Sequence, residues 1–297
     1  MLTEVLPKLR GRLLQKAPLA EYTSWRVGGP ADLLYIPADL DDVAYFLEQL
    51  PLEMPILWLG LGSNVLIRDG GVPGVVIITQ GALNGIAQLE PQTIRAEAGV
   101  SCAQIARYTA RLGLTGLEFM AGIPGTVGGA LAMNAGCYGG ETWQRVCCVE
   151  TVNRLGEKKL RPINDFQVSY RHVQKPQEEW FVAGHFELSS GEKTRSLEDI
   201  RLLLEKRNAA QPTGQPNCGS VFRNPPGNFA ARLIEQSGLK GKVLGGASIS
   251  MKHANFIVNE STATAADIEA LISEVMETVE KKHGIRLIPE VHIIGRE

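Results

Sequence analysis

The sequence predicts an α+β fold, on three observations. Segments with helical periodicity and segments with strand-like patterns both occur, but they do not follow the regular strand–helix alternation of a parallel α/β sheet. Residues 146–188 indicate strands and turns alone. A polar break at residues 190–193 then leads into a C-terminal region with long helical segments, and we expect a domain boundary there.

The first half of the chain contains two predicted helices and several predicted strands. Residues 40–50 show an amphipathic helical pattern, with Asp39 as the expected N-cap. Ser101 is expected to cap a second helix that runs to about residue 112. The predicted strands cover residues 31–37, 56–59 and 75–78, and residues 93–98 alternate between apolar and polar.

The second half combines strands before residue 190 with helices after it. Asn228 is expected to cap a short helix, and Gly284 is expected to end a long one. The other predicted elements are strands over residues 149–155, 180–188 and 286–294 and helices over residues 197–208 and 265–283.

The composition is that of an ordinary globular protein. Hydrophobic residues make up 44% and charged residues 21% of the 297 residues, which is enough for a sizeable core. Thirty basic residues against 32 acidic residues give a formal net charge of -2. Because such a chain has no general positive field, we expect neither nucleic acid nor an anionic membrane as a partner.

Cysteine usage and hydropathy predict a cytoplasmic protein. The five cysteines are odd in number and form no C-x-x-C pair, so that we expect neither a disulfide framework nor a metal site. Unpaired thiols are typical of a reducing compartment. No apolar run reaches the length of a membrane span, and the first residues lack the pattern of a signal peptide.

Two glycine-rich segments, residues 60–64 and 122–129, are the strongest chemical signal in the sequence. A diphosphate is held by several main-chain N–H groups that converge where no Cβ is in the way, and glycine permits this approach. Ser63 and Asn64 add side-chain donors, and residues 26–31 form a third cluster of small residues. Together the segments predict a site for an anionic nucleotide cofactor, although a tight turn is the simpler interpretation of any one of them.

Two familiar nucleotide-binding motifs are excluded. A Rossmann fingerprint needs a third glycine at position 65, where valine stands, and a helix rather than an apolar strand after it. No G-x-x-x-x-G-K-[ST] pattern of a P-loop occurs anywhere. The residues alone therefore leave the identity of the cofactor open.

The order and content of the motifs resemble one enzyme family along nearly the whole chain. The most specific match is A-G-I-P-G-T-V-G-G-A at 121–130, followed by M-N-A-G-C-Y-G at 133–139. Further matches are T-S-W-R-V-G-G-P-A at 23–31, L-G-L-G-S-N-V-L at 59–66, S-Y-R at 169–171, G-S-V-F-R-N-P at 219–225 and P-E-V at 289–291. On these motifs the chain resembles the UDP-N-acetylenolpyruvoylglucosamine reductases.

The resemblance implies an FAD-binding fold of the vanillyl-alcohol-oxidase (PCMH) type with two subdomains, followed by an α+β substrate-binding domain. The expected divisions are an N-terminal segment 1–21, an FAD-binding domain 22–190 with subdomains of about 22–79 and 80–190, and a substrate-binding domain 197–297. Only 48 residues (172–219) separate the S-Y-R and G-S motifs. The chain therefore resembles the compact subclass, which lacks a tyrosine-bearing insertion.

Cofactor and substrate also follow from the resemblance. It implies bound FAD, NADPH as the hydride source and UDP-N-acetyl-3-O-(1-carboxyvinyl)-glucosamine as the substrate, which is reduced to UDP-N-acetylmuramate for peptidoglycan precursor synthesis. Related oxidases often tether FAD through a histidine in the first glycine-rich segment; this segment has none, so that we expect non-covalent FAD. The residues expected to bind FAD are Arg26, Gly28, Gly60, Gly62, Ser63, Asn64, Gly122, Ile123, Gly125, Thr126, Gly128 and Gly129.

Three residues match the family's catalytic positions: Arg171, Ser220 and Glu290. Hydride addition to the enolpyruvyl group builds negative charge that spreads into its carboxylate, so that the site needs a stabilising cation and a proton donor. Arg171 is expected to stabilise this enolate, and Ser220 is expected to supply the proton. Glu290 is expected to act protonated, or through a water or a basic neighbour, because a bare carboxylate would repel the enolate.

The resemblance carries less weight for the substrate contacts, for which we expect Asn224, Tyr138 and Lys242. Cys218 is more acidic than a serine, but the motif favours Ser220 as the proton donor. Two other functions stay open, namely another flavin oxidoreductase or oxidase of the same fold and a non-catalytic nucleotide-binding module. The sequence also leaves open whether the protein is a monomer.

Overall fold

The structure, a computed structural model, describes residues 8–297, so that the first seven residues of the predicted N-terminal segment lie outside it. Six α-helices occur in the described part. They are α1 (Leu40–Glu48), α2 (Cys102–Arg111), α3 (Val127–Met133), α4 (Lys193–Ala210), α5 (Ala230–Gln236) and α6 (Ala265–His283).

Strands in the described part pair into several small sheets rather than one large sheet. Together with the helices they give the predicted α+β class, which is confirmed. The strands are β1 (Arg12–Pro18), β2 (Pro30–Ile36), β3 (Ile56–Leu59), β4 (Val65–Ile67), β5 (Val72–Ile78), β6 (Ile86–Glu90), β7 (Thr93–Glu97), β8 (Leu114–Thr115), β9 (Gly136–Cys137), β10 (Gly140–Glu141), β11 (Val146–Asn153), β12 (Lys158–Pro162), β13 (Gln167–Ser169), β14 (His172–Gln174), β15 (Glu179–Glu187), β16 (Ser189–Ser190), β17 (Val243–Leu244), β18 (Ala247–Ile249), β19 (Ile257–Asn259) and β20 (His292–Ile294).

The chain forms two compact units, and each unit is assembled from separate stretches. One boundary falls within the first glycine-rich segment, since Gly60 and Leu61 belong to the first unit and the following residues to the second. Of the described residues, the first unit comprises 8–15, Leu33–Leu61 and Gly74–Glu205, and the second comprises Lys16–Asp32, Gly62–Pro73 and Lys206–Glu297.

The first unit contains an antiparallel sheet of five strands, in the order β12-β11-β15-β7-β6. Its core includes Ile105 of α2, Leu131 of α3 and Phe186 of the sheet, all inaccessible to solvent. A second cluster lies where α1 meets the parallel pair β3 and β5, around Phe46 and Ile77. The second glycine-rich segment and the S-Y-R motif both belong to this unit.

The second unit is built around α5, α6 and the antiparallel sheet β17-β18-β19. Trp25, from the T-S-W-R-V-G-G-P-A motif at 23–31, is fully buried here, and its indole N–H donates to the carbonyl oxygen of Ile257 at 2.7 Å. Asn259 donates in turn to the carbonyl oxygen of Trp25 at 2.8 Å. The tryptophan of the T-S-W-R motif is therefore a core residue that anchors residues 23–31.

The predicted helix boundaries follow from capping. Asp39 accepts the N–H of Asp42, and Ser101 accepts the N–H of Gln104, so that α1 and α2 begin where the sequence predicts. Gly284, with φ +66°, ends α6 as predicted. These three features are local, which is why the sequence suffices to find them.

Three elements differ from the prediction. The final strand covers only His292–Ile294, because its parallel partner β4 has three residues, and Pro289 pairs with Phe222 instead. The expected cap Asn228 does not bond to α5; instead the side-chain oxygen of Asn224 accepts the N–H of Ala230 at 3.0 Å. The glycine-rich α3 was not predicted, since glycine disfavours helices and only its tertiary surroundings stabilise it.

Candidate active site

The first glycine-rich segment follows β3 and presents a row of main-chain donors. The N–H groups of Gly60, Leu61, Gly62 and Ser63 donate to no acceptor among residues 8–297. Gly62 has φ +64°, a left-handed conformation that glycine adopts without strain. Successive N–H groups in such a turn form a concavity that is suited to an anion.

The surrounding chain requires glycine at positions 60 and 62. In the first unit, a Cβ on Gly60 would overlap the hydroxyl group of Thr126, which lies in the second glycine-rich segment. In the second unit, a Cβ on Gly62 would overlap the carbonyl oxygen of Tyr22, and the N–H of Ser24 donates to the Gly62 carbonyl at 3.1 Å. Each glycine therefore lets a neighbouring loop approach closely.

The second glycine-rich segment turns from a short 3-10 helix into α3. The N–H groups of Val127 and Gly128 donate to main-chain carbonyls at 2.8 and 2.9 Å and are thus used within the fold. Those of Gly125 and Thr126 donate to no acceptor in the described part of the chain. Gly129 lies in open space, since a Cβ on it would have only the Thr126 hydroxyl nearby, at 3.8 Å.

The other predicted FAD residues divide into packed and exposed positions. Gly28, with φ +124°, lies against Ile67, and a Cβ on it would be 2.8 Å from the Ile67 Cβ. Gly122 and Ile123 pack within the first unit. Arg26, also left-handed at φ +58°, is exposed. Packing accounts for the first three residues, whereas the Arg26 side chain extends into solvent.

Each glycine-rich segment, taken by itself, offers main-chain donors of the kind that hold a phosphate group. Six main-chain N–H groups lack an acceptor among the described residues, and none of the six belongs to a helix or strand. Leaving a buried peptide donor without a partner costs about 1–3 kcal/mol, so that a ligand with several acceptor oxygens is favoured at these loops.

The segment that carries Ser220 runs alongside the segment that carries Glu290. Phe222 and Pro289 form an antiparallel bridge, and the N–H of Glu290 donates to the carbonyl oxygen of Val221 at 2.7 Å. Two predicted catalytic residues that are far apart in sequence are therefore close neighbours in the second unit.

Asn255 holds the Ser220 segment in place, and the sequence analysis missed it. Its side-chain oxygen accepts the N–H of Phe222 at 3.0 Å, and its Nδ2 donates to the carbonyl oxygen of Phe222 at 2.8 Å. Its main-chain carbonyl accepts the N–H of Val221 at 2.9 Å. The available signal was a single amide within the apolar run 254–258, where the Asn255 side chain is indeed buried.

The first glycine-rich segment contacts the Glu290 segment through Asn64. The Nδ2 of Asn64 donates to the main-chain carbonyl of Glu290 at 3.0 Å, and the Asn64 carbonyl accepts the N–H of His292 at 3.0 Å. The parallel pair β4 and β20 continues this contact. Asn64, predicted to bind FAD, thus also links its loop to the backbone of a predicted catalytic residue.

The two candidate proton donors differ in burial. The thiol of Cys218 is buried and donates to the carbonyl oxygens of Gly62 and Val65 at 3.5 and 3.4 Å. Burial raises the pKa of Cys218 to about 12. Ser220 is half-buried, and its hydroxyl makes no hydrogen bond to any described residue. Ser220 is therefore the more accessible donor.

Arg171 lies in the turn between β13 and β14, with φ +56°. Its Nη2 donates to the carbonyl oxygen of Gly136 at 2.6 Å, and its Nη1 donates to that of Asn134 at 3.5 Å. The guanidinium carbon lies 5.4 Å from the ring centre of Tyr170. The S-Y-R and M-N-A-G motifs therefore meet at this side chain.

A cavity of about 410 Å³ in the first unit includes Arg171 in its lining. Arg171 contributes a permanent positive charge to it and Glu141 a carboxyl group. The remaining lining residues are Gly136, Cys137, Gly139, Gly140, Gln144 and Tyr170. A cavity of this size with a guanidinium in its wall can accept a small group that carries a carboxylate.

The three predicted substrate contacts have different surroundings. Tyr138 is exposed, with φ +51°. Asn224 is exposed and uses its amide oxygen to begin α5. Lys242 forms an ion pair with Glu274 of α6 at 3.0 Å, which gives it a structural contact in the second unit.

Among residues 8–297, no group of three or more histidine, cysteine or acidic side chains is arranged to hold a metal ion. No helix of that part combines the length and the apolar character that crossing a bilayer requires.

Two family models match the chain. The model described as "FAD binding domain" covers residues 31–159, which include both glycine-rich segments. The model described as "UDP-N-acetylenolpyruvoylglucosamine reductase, C-terminal domain" covers residues 211–294, which include Ser220 and Glu290. The two matches agree with the fold predicted from the motifs, an FAD-binding part followed by a substrate-binding part.

Curated relatives match over nearly the full length. A UDP-N-acetylenolpyruvoylglucosamine reductase from Legionella pneumophila (strain Corby) is 60% identical over 287 residues, which are 96% of this chain and 93% of the relative. The reductase from Alkalilimnicola ehrlichii is 55% identical, over 96% of this chain and 95% of the relative. The reductase from Coxiella burnetii (strain Dugway 5J108-111) is 52% identical, over 99% of this chain and 99% of the relative.

A solved structure agrees with these relatives. The UDP-N-acetylenolpyruvylglucosamine reductase from Thermus caldophilus superposes with a TM-score of 0.80 at 31% identity, over 97% of this chain and 100% of the other. With the FAD-binding model and the identities above 50%, this likeness shows the family and the cofactor. The chain belongs to the UDP-N-acetylenolpyruvoylglucosamine reductase family and is an FAD-dependent oxidoreductase.

Proposed function

We propose that the protein uses NADPH to reduce UDP-N-acetyl-3-O-(1-carboxyvinyl)-glucosamine to UDP-N-acetylmuramate, a step of peptidoglycan precursor synthesis. The observation that carries this proposal is the pairing of the Ser220 and Glu290 segments through Val221 and Pro289. The pairing supports a site in which the Ser220 hydroxyl, a weak acid, and the Glu290 carboxyl group act on the same substrate. Together with the S-Y-R motif, the G-S and P-E motifs are those that another flavin oxidoreductase of the same fold is expected to lack.

Bound FAD would supply the hydride-transfer chemistry between NADPH and the substrate. The proposed FAD residues are those predicted from the sequence, and the main-chain N–H groups of Gly60, Leu61, Gly62, Ser63, Gly125 and Thr126, which have no acceptor among the described residues, support the proposal. No histidine lies in residues 60–64, which supports non-covalent binding. The proposed FAD-binding domain spans residues 22–190, and the proposed substrate-binding domain spans 197–297.

Arg171 is proposed to bind the carboxylate of the enolpyruvyl group. As hydride reaches the terminal carbon, negative charge develops on the neighbouring carbon and delocalises into that carboxylate. A guanidinium carries its charge at every accessible pH and offers a planar pair of donors, so that it stabilises the enolate more than the ground state. The cavity lined by Arg171 and Tyr170 supports this assignment.

Ser220 is proposed to donate the proton to that neighbouring carbon. A serine hydroxyl is a weak acid, so that it transfers its proton as charge builds on the carbon and recovers one from solvent afterwards. Glu290 is proposed to act in its protonated form, or through a water or a basic neighbour, because a bare carboxylate would repel the enolate. The bond from its main-chain N–H to Val221, next to Ser220, supports its place in the site. Cys218 is left out, because its thiol is buried and donates to the main-chain carbonyls of Gly62 and Val65.

Asn224, Tyr138 and Lys242 are proposed substrate contacts. Asn224 and Tyr138 are exposed and therefore accessible to a ligand, whereas Lys242 would have to share its ammonium group with Glu274. The proposed compartment is the cytoplasm, because the odd set of cysteines suits a reducing environment.

An anaerobic half-reaction experiment tests the function. The purified yellow protein is reduced with NADPH, and the enolpyruvyl sugar nucleotide is then added while the flavin absorbance is followed. We expect reduction by NADPH and rapid reoxidation by the sugar nucleotide, with NADH as the matched control reductant. If the reduced flavin did not respond to the sugar nucleotide and was reoxidised only when O₂ was admitted afterwards, the protein would instead be an oxidase of the same fold.

A further inference from the structure

Asn134, from the M-N-A-G motif, is buried and has no assigned role. It follows α3 in a left-handed conformation, with φ +47° and 2% of its surface exposed. Its Nδ2 donates to the carbonyl oxygen of Ser169 at 3.2 Å and to Oε2 of Glu141 at 3.0 Å. Its Oδ1 accepts the N–H of Trp143 at 3.2 Å. The amide group therefore uses both its donor and its acceptor capacity.

The same residue contacts the S-Y-R turn at both ends. The side chain of Asn134 bonds to Ser169, where the turn begins, and its main-chain carbonyl accepts from the guanidinium of Arg171, where the turn ends. Gly136, two residues further on, accepts the second Arg171 bond at 2.6 Å. Residues 134–136 thus form the support on which the Arg171 side chain lies.

A helix cap alone does not explain these contacts. The left-handed position after a helix is usually occupied by glycine and sometimes by asparagine. The three side-chain bonds of Asn134 reach Ser169, Glu141 and Trp143, all outside the helix. None of the three bonds serves the end of α3. The bond to Ser169 ties the β13–β14 turn to residues 134–136, and the bonds to Glu141 and Trp143 hold the amide in the orientation that this requires.

We propose that Asn134 is a positioning residue, whose buried amide holds the S-Y-R turn so that the Arg171 guanidinium meets the substrate carboxylate. The proposal rests on the proposed function of Arg171. A displacement of a charged group by about 1 Å is enough to slow a reaction about a hundredfold, because the interaction with the developing charge depends on distance and orientation. Asn134 itself touches neither substrate nor cofactor in this proposal.

The first test is Asn134→Gly, which keeps the left-handed backbone and removes the amide. We expect the variant to retain FAD and to be reduced by NADPH at a rate close to that of the wild type. Reoxidation by the enolpyruvyl sugar nucleotide should be about ten- to a hundredfold slower. Asn84→Gly, an exposed position with no side-chain hydrogen bond to a described residue, is the matched control and should leave both rates unchanged.

The second test is Asn134→Asp, which keeps the acceptor for Trp143 but turns the donor into a carboxylate facing Glu141 and the Ser169 carbonyl. We expect slow reoxidation at neutral pH and partial recovery as the pH falls, because a protonated carboxyl group restores one donor. Recovery that is confined to reoxidation, with FAD binding and reduction by NADPH unchanged across the same pH range, ties the amide to the position of Arg171 and not to the stability of the FAD-binding part. If the glycine variant loses FAD or fails to fold, the aspartate variant still tests whether Asn134 positions Arg171.

The outcomes separate this proposal from the proposed function. If Arg171→Ala is reoxidised at the normal rate, the role assigned to Arg171 is wrong. If Arg171→Ala is slow but Asn134→Gly and Asn134→Asp are both normal, only the positioning role is wrong. If the two residues act together, Asn134→Gly should add little further slowing to Arg171→Ala, whereas additive losses would overturn the proposal.

Discussion

The main-chain N–H of Glu290 donates a 2.7 Å hydrogen bond to the carbonyl oxygen of Val221, and this bond brings two family motifs side by side. Ser220 stands immediately before Val221, and the bridge between Phe222 and Pro289 extends the pairing. Ser220 and Glu290 are proposed to act on one substrate, and these main-chain contacts fix the positions of their two backbone segments relative to each other.

Ser220→Ala should leave FAD binding and reduction by NADPH intact but slow reoxidation by the enolpyruvyl substrate at least about a hundredfold, since general acid catalysis contributes this much. Stopped-flow absorbance of the flavin measures both half-reactions. Cys218→Ala is the matched control, because the Cys218 thiol is buried and bonded to main-chain carbonyls, and this variant should be reoxidised at nearly the normal rate. Normal reoxidation of Ser220→Ala would remove this residue from the mechanism.

Gly60→Ala should weaken FAD binding at least about tenfold, because a Cβ there overlaps the Thr126 hydroxyl and forces apart two loops that are proposed to hold the diphosphate. Equilibrium dialysis of the apoprotein against FAD gives the dissociation constant. Gly214→Ala is the control, since a Cβ on Gly214 meets no atom within 4 Å. Equal affinity in both variants would contradict a diphosphate site at Gly60.

Asn255→Ala should lower the free energy of unfolding by about 2–4 kcal/mol, since it strips hydrogen-bond partners from both the N–H and the carbonyl of Phe222. Urea denaturation measures this loss. Asn228→Ala, at a half-exposed position, should cost less than about 0.5 kcal/mol. If Asn255→Ala lowered the free energy of unfolding no more than Asn228→Ala does, water would be replacing the hydrogen bonds of the Asn255 amide.

Glu150→Gln should make the free energy of unfolding less dependent on pH in the acid range. The hydrogen bond from Arg95, followed by that from His185, lowers the pKa of Glu150 from 4.5 to about 2. A carboxyl group whose pKa is lowered on folding stabilises the protein fully above its unfolded pKa, and this contribution disappears as the pH falls through the folded pKa. The wild type should therefore lose roughly 2 kcal/mol more than Glu150→Gln between pH 5 and pH 2.

Urea titrations at several pH values measure the Glu150 effect. Glu90→Gln is the matched control, because it changes the total charge equally at an exposed position that forms no ion pair with a described residue. The Glu90 variant should follow the wild type throughout the pH range. Parallel curves for the wild type and Glu150→Gln would show that Arg95 does not stabilise the ionised carboxylate.

Short-range features could be read from the sequence. Asp39 and Ser101 cap their helices as predicted, and Gly284 ends α6, because each of these signals acts within a few residues. The glycine-rich segments and the family motifs led to FAD, and the FAD-binding model over residues 31–159 confirms the cofactor. For Arg171, Ser220 and Glu290 the assigned roles stay predictions.

Pairing of distant segments was decided only by the tertiary structure. Nothing local shows that Val221 will bond to Glu290, that Asn255 will clasp Phe222 or that Asn134 will support Arg171, because each contact joins residues separated by long stretches of chain. The sequence by itself determined the residue types, the helix ends and the fold class. The fold determined which of those residues meet, since burying the apolar cores of the two units fixes which polar backbone groups must satisfy one another.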